Sequence, residues 1–218
     1  MDRIITTVIF DLDGLLADTE PLHYRAYQMA LRARGVTLTE SDYVEHWVRS
    51  GKGIVEWVSD HGLNLDPHEV RAHKSKCYIE LLSSSLRPME GAVELLQTLA
   101  GKKNLALASS SYRDAVDGVL EGLHLAHYFK TIVSGLDVTR VKPAPDIFLV
   151  AARQAGADPF ECVVLEDAEK GVVAAFHAGM RCIAVPNAYT RYHDFSKATQ
   201  VCSSLKEITL EVIETIGA

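Results

Sequence analysis

The chain has 218 residues, 48% of them hydrophobic and 23% charged, the balance of a folded protein with one large domain or a core carrying a modest insertion, and no segment has the composition of a disordered tail. A formal net charge of −7 argues against non-specific binding to a nucleic-acid backbone, which needs clustered Lys and Arg. The first apolar run is short and is cut by Asp11, so it is neither a signal peptide nor a membrane span; a cytoplasmic, monomeric protein with no membrane or nucleic-acid partner is expected.

That run, Ile4, Ile5, Val8, Ile9 and Phe10, is β-branched and aromatic and suits a strand buried on both faces, as in a parallel sheet. It ends in Asp11-Leu12-Asp13-Gly14. Two aspartates at the carboxyl end of a strand are either an Asx turn that closes the strand or part of a site, since open α/β sheets bind ligands at that edge. Asp18-Thr19-Glu20-Pro21 then reads as a helix start, with a capping side chain and a proline in the first turn, and Arg34-Gly35 as its end. From there to about Arg87 the periodicity is helical only: Tyr43, Trp47 and Val48, then Ile54, Trp57 and Val58, then Val70, Cys77, Ile79, Leu81 and Leu82.

Beyond Pro88 strands and helices alternate. Strands are expected over 105–108, 131–133, 162–165 and 182–185, and helices starting near Pro88, Tyr112, Pro145 and Ala168. The pattern predicts an α/β fold: a doubly wound, Rossmann-like parallel sheet (residues 1–16 and 88–218) interrupted after its first strand by a helical cap domain (residues 17–87). Cys77, Cys162, Cys182 and Cys202 show no paired spacing and read as reduced structural residues, and the nine histidines form no zinc motif.

Parallel strands would gather Asp11, Asp13, Ser109, Glu166 and Asp167 at one edge. At ~4 Å and an effective dielectric of ~20, each like-charge pair among the four carboxylates costs about 4 kcal/mol, so a cation or protonation must relieve the cluster. Mg²⁺ fits, because it prefers carboxylate oxygen, keeps waters and accepts a phosphate oxygen. Glu166-Asp167 alone would be read as an acidic pair at a helix N-terminus; the coincidence of two acidic pairs at strand ends favours the cation. Ser109 stands between a strand and a helix, either as a cap or as a phosphate ligand. Lys142, in Val141-Lys142-Pro143-Ala144-Pro145-Asp146, is a cation on a backbone restricted by two prolines.

The segments FDLDGLLADTEPLH, LALASSS, VKPAPDIF and VVLEDAEKGVVAAFHAGM, in that order, resemble the four motifs of haloacid dehalogenase superfamily phosphohydrolases. The similarity is to the branch with a helical cap after the first motif, which includes β-phosphoglucomutase and many sugar-phosphate phosphatases. The resemblance implies a catalytic set of Asp11, Asp13, Ser109 and Lys142: Asp11 as the nucleophile that forms an aspartyl-phosphate, Asp13 as general acid and base. It implies Mg²⁺ held by the Asp11 carboxylate, the Asp13 backbone carbonyl, Glu166 and Asp167, with Ser109, Ser110 and Lys142 on the phosphoryl group. The family often has Ser or Thr after the acid pair; Ala168 stands there in this chain.

In the cap, His23 falls where this branch often carries a hinge histidine, and is otherwise a solvated first-turn residue. Arg49 and Lys52, in the loop Arg49-Ser50-Gly51-Lys52-Gly53, either reach an anionic substrate or are ordinary solvated charges. The mutases of this branch carry Gly-x-Ser-Arg in that loop and a lysine further on, where VRSGKG and Glu80 stand here. The expected activity is therefore Mg²⁺-dependent hydrolysis of small phosphorylated metabolites, chiefly sugar phosphates, by a phosphoric monoester hydrolase. A β-phosphoglucomutase-type phosphomutase is the alternative enzyme, and a phospho-receiver signalling module the alternative of another class.

Overall fold

Of the β-branched run near the N-terminus, Thr7–Phe10 forms β1, every residue of which is buried, while Ile5 is buried ahead of the strand and Ile4, expected in it, is exposed. The structure, a computed structural model, describes residues 4–216. The chain divides into two compact units, one running to Asp18 and resuming at Arg87, the other spanning Thr19–Leu86.

The second unit is helical: α1 (Glu20–Arg32), α2 (Glu40–Tyr43), a π-helical turn over Val44–Arg49, α3 (Ile54–Asp60) and α4 (Pro67–Ser85). Its core gathers Tyr43, Ile54, Trp57, Val58 and Val70 of the helical pattern with Ala30, Leu31 and Leu38, while Ile79, placed in the same pattern, is exposed. Thr39 caps α2 reciprocally with Asp42. Thr19 does not play the capping role expected of it: its backbone is already helical, with φ −96° and ψ −18°, and its side chain accepts no bond from the first turn.

The first unit resumes with α5 (Ala92–Leu99), β2 (Asn104–Ala108), α6 (Arg113–Gly122), β3 (Thr131–Val133), α7 (Asp146–Ala155), β4 (Cys162–Glu166), α8 (Glu169–His177), β5 (Arg181–Ala184), β6 (Gln200–Val201) and α9 (Leu210–Thr215). The helix expected near Pro88 begins only at Ala92, because Pro88 bridges to Ala17 in extended backbone and the chain turns at Gly91, where φ is +85°. The six strands are all parallel, in the order β3-β2-β1-β4-β5-β6. This is the doubly wound arrangement: the chain builds outward from β1 to β3, then returns to the other side of β1 for β4.

One sheet face carries Ile9, Ala106, Ala108, Val133, Cys162, Val164, Cys182 and Ala184, packed with Ile147, Phe148, Ala151 and Ala152 of α7 and with Val172, Ala174 and Ala175 of α8. The alternate residues Val8, Phe10, Leu105, Leu107, Val163, Leu165 and Ile183 are buried as well, so neither face is left to water. Small side chains on the α7/α8 face let the helices lie close to the strands. All four cysteines are buried and free. Among the described residues no helix is long and apolar enough to cross a membrane.

Strand register sets the height of the acidic residues. Phe10 is paired with Leu165 on one side and Leu107 on the other, so the next residues, Asp11, Glu166 and Ala108, come level at the carboxyl edge. Replacing the wholly buried ring in Phe148→Ala is expected to lower the unfolding free energy by about 3–5 kcal/mol, measured by urea denaturation followed by circular dichroism.

Candidate active site

Where the strand order reverses, between β1 and β4, the carboxyl ends open a crevice, and the acidic residues stand in it. Asp11 is pinned there by its backbone N–H, which donates to the Leu165 carbonyl at 3.0 Å. Lys142 enters from the loop before α7, between Val141 and the cis-bonded Pro143. Its ammonium donates to Asp11 Oδ1, to Glu166 Oε1 at 2.6 Å and to the Ala108 carbonyl at 2.9 Å, and lies 4.8 Å from the centre of the Phe148 ring. All three of its N–H donors are thereby used in a site where its side chain is 1% exposed.

Burial pushes the Asp11 carboxyl up to about 7, with Glu166 and Asp13 adding to the rise and Lys142 opposing it. The Lys142 ammonium shows the reverse balance. Burial alone would drive it towards the neutral amine, but the carboxylates of Asp11 and Glu166 outweigh that and hold its pKa above the ordinary lysine value.

Glu166 is used at both oxygens. Oε1 takes Lys142, and Oε2 accepts the backbone N–H groups of Asp167 at 3.1 Å and Ala168 at 3.2 Å. Gly171, in the first turn of α8, makes room for it: a Cβ there would overlap the Glu166 carboxylate. Asp167 Oδ2 accepts from Asn187 Nδ2 at 2.9 Å. Asp11, Glu166 and Asp167 bring one oxygen each to within 4.8 Å of one another, all three residues buried. Three buried carboxylates and no nitrogen or sulfur donor form a set suited to a hard divalent cation.

Asp13 faces elsewhere. Its Oδ2 accepts from Ser111 Oγ at 2.7 Å and Ser109 Oγ at 3.2 Å, and its carboxylate is not one of the three clustered oxygens. Neighbouring aspartates thus occupy different surroundings: Asp11 beside an ammonium, Asp13 under two hydroxyls from the loop after β2. Ser109 is buried and also accepts the Ser111 N–H at 3.1 Å. The Ser110 hydroxyl is buried with no hydrogen-bond partner.

The remaining candidates lie in the helical unit. His23 Nδ1 is 2.7 Å from Lys74 Nζ, and its ring stacks on Tyr78 with centroids 4.3 Å apart and planes 3° from parallel. Arg49 pairs with Glu45 at 3.1 Å and Lys52 with Asp60 at 2.8 Å, on exposed side chains. Sequence reasoning passed over Ser111, Lys74 and Asn187. Ser111 sits in the same serine run as Ser109, two residues on, and Asn187 follows β5 closely, a strand-end position like that of the acidic pairs; Lys74 carries no local signal and meets His23 only through the packing of α4 on α1.

Comparison with known proteins gives a consistent picture. A family model described as haloacid dehalogenase-like hydrolase matches residues 5–179. The fructose-1-phosphate phosphatase YqaB of Escherichia coli is 33% identical over 183 residues, covering 82% of this chain and 95% of that protein. The crystal structure of CbbY from Rhodobacter sphaeroides in complex with phosphate superposes with a TM-score of 0.85 at 27% identity, covering 96% of this chain and 99% of that one. CbbY from the same organism in complex with xylulose-(1,5)bisphosphate gives 0.86 at 26% identity, over 97% and 100% of the two chains. With its motifs at the carboxyl edge of a parallel sheet and a family match over most of its length, this chain belongs to the haloacid dehalogenase-like hydrolases.

Proposed function

We propose that the protein is a Mg²⁺-dependent phosphatase of small phosphorylated sugars that works through an aspartyl-phosphate on Asp11. The observation that carries this reading is the difference between two near neighbours. Asp11 shares a buried ammonium with Glu166, whereas Asp13, on the same loop, is held by Ser109 and Ser111. One carboxylate is kept next to positive charge as a nucleophile requires, and the other is placed to exchange a proton.

In the first step a carboxylate oxygen of Asp11 forms a bond to phosphorus as the bond from phosphorus to the sugar oxygen breaks, and Asp13, protonated, gives its proton to that leaving oxygen. In the second, Asp13 takes a proton from water as the water oxygen bonds to phosphorus. The bond between phosphorus and Asp11 breaks, and phosphate leaves with the carboxylate restored. Ser109 and the backbone N–H groups that come after it hold the phosphoryl oxygens, while the Lys142 ammonium, fixed beside Asp11, offsets their charge, electrostatic positioning being the main contribution in a loose transition state. The carboxylates of Asp11, Glu166 and Asp167, with the Asp13 backbone carbonyl, would hold Mg²⁺, which when bound neutralises phosphoryl oxygen charge. The names of the relatives point to phosphorylated ketoses as the substrates to try first.

Phosphate release from a panel of sugar phosphates is expected with Mg²⁺ and is expected to vanish on chelation. Asp11→Asn should lower kcat by about 10⁴-fold or more with an unchanged circular dichroism spectrum; activity retained in that variant would overturn the nucleophile assignment. Conversion of β-glucose 1-phosphate to glucose 6-phosphate on priming with a bisphosphate, with little phosphate released, would instead identify a mutase.

Lys142→Met leaves Asp11 and Glu166 facing each other without their shared cation. Loss of about 3–5 kcal/mol of stability is expected at neutral pH in the absence of divalent cations. Urea denaturation reads that loss, and added Mg²⁺ should restore part of it.

A further inference from the structure

The loops after β1, β4 and β5 meet at one side chain, Asn187. Its amide nitrogen donates to Asp167 Oδ2 at 2.9 Å and to the Gly14 carbonyl at 3.0 Å. Its amide oxygen accepts the backbone N–H groups of Tyr189 at 2.8 Å and Thr190 at 3.2 Å, and its own backbone N–H donates to Thr190 Oγ1 at 3.0 Å. Backbone N–H groups can be met only by the carbonyl end of the amide, so the NH₂ end has to face Asp167 and Gly14. The side chain is therefore fixed at both ends.

The approach is close. Gly14 has φ +80°, and a Cβ on it would stand 2.5 Å from Asp167 Oδ2 and 2.8 Å from Asn187 Nδ2. Only a residue without a side chain lets the three loops come together in this way. The residue next to Asp167, Ala168, has no side-chain donor to offer it. Asn187 is neutral, so it fixes the rotation of the Asp167 carboxylate without cancelling its charge, as a lysine at that place would do.

We infer that Asn187 is a positioning residue for the cation site: it orients Asp167 and ties it to the Asp11–Gly14 loop, so that the oxygen donors are arranged before the ion arrives. This rests on the reading of Asp11, Glu166 and Asp167 as the Mg²⁺ site.

The test is direct binding of Mn²⁺ to the full chain without substrate, monitored by electron paramagnetic resonance with Mg²⁺ as competitor, together with the melting temperature of the metal-free protein. Four proteins are compared: the natural chain, Asp167→Asn, Asn187→Ala and Asn187→Ser. Serine keeps an oxygen that can accept the Tyr189 and Thr190 N–H groups and so preserve the loop, but it is too short to reach Asp167. Both Asn187 variants are expected to bind Mn²⁺ about 10–100-fold more weakly, with Asn187→Ser melting closer to the natural chain than Asn187→Ala. Mn²⁺ binding by Asn187→Ser equal to that of the natural chain would overturn the inference, whether or not Asn187→Ala folds. Absence of any Mn²⁺ binding that Asp167→Asn abolishes would overturn the cation site itself, and the inference with it.

Discussion

The interaction on which the site depends is the ammonium of Lys142 held between the carboxylates of Asp11 and Glu166, one from each of two adjacent strand ends. Two carboxylates brought level by the register of β1 and β4 repel by about 4 kcal/mol at ~4 Å and an effective dielectric of ~20, and more where water is scarce. One shared cation converts that repulsion into two attractions. It also leaves a remainder. Asp11, Glu166 and Asp167 carry three negative charges when ionised and Lys142 one positive charge, so the buried cluster stands at a net charge of about −2. The Asp11 pKa is raised to about 7 chiefly by burial, with Glu166 and Asp13 adding to the rise and Lys142 opposing it without cancelling it. A divalent cation supplies the missing charge, which is why the electrostatics of the cluster and the proposed Mg²⁺ site belong together.

The sheet was largely legible because parallel strands covered on both faces need long runs of β-branched and aliphatic residues, and five such runs stand out in the chain. β6 was not anticipated. Gln200 and Val201 are both exposed at the sheet edge, so their pairing with β5 leaves no apolar pattern to read. The π-helical turn over Val44–Arg49 was equally hidden, since its apolar spacing differs too little from that of an α-helix. Strand-end polarity made Asp11, Asp13, Ser109, Glu166 and Asp167 visible as a group. Their division of labour is implied by the motif resemblance and not by the residue spacing. That Asp11 turns to Lys142 while Asp13 turns to Ser111 depends on two different loops, the one before α7 and the one after β2, and no spacing in the sequence encodes which aspartate meets which partner.

Asn187 illustrates why such residues escape. A carboxylate in a site announces itself by the cost of burying charge, and Lys142 by the prolines around it, but a neutral amide is ordinary in any loop. Its consequence is three-dimensional: it joins residues 14 and 167, which are remote in sequence, and only the packed loops show that they share a donor.

The distribution of these groups over the fold constrains how the proposed site can change. Every residue to which the proposed phosphoryl chemistry is assigned, from Asp11 and Asp13 through Ser109 and Lys142 to Glu166 and Asp167, belongs to the α/β unit. Each is held there by partners of that same unit, at strand ends whose register would shift if the sheet were altered. Substitution among them therefore disturbs charge balance and sheet together.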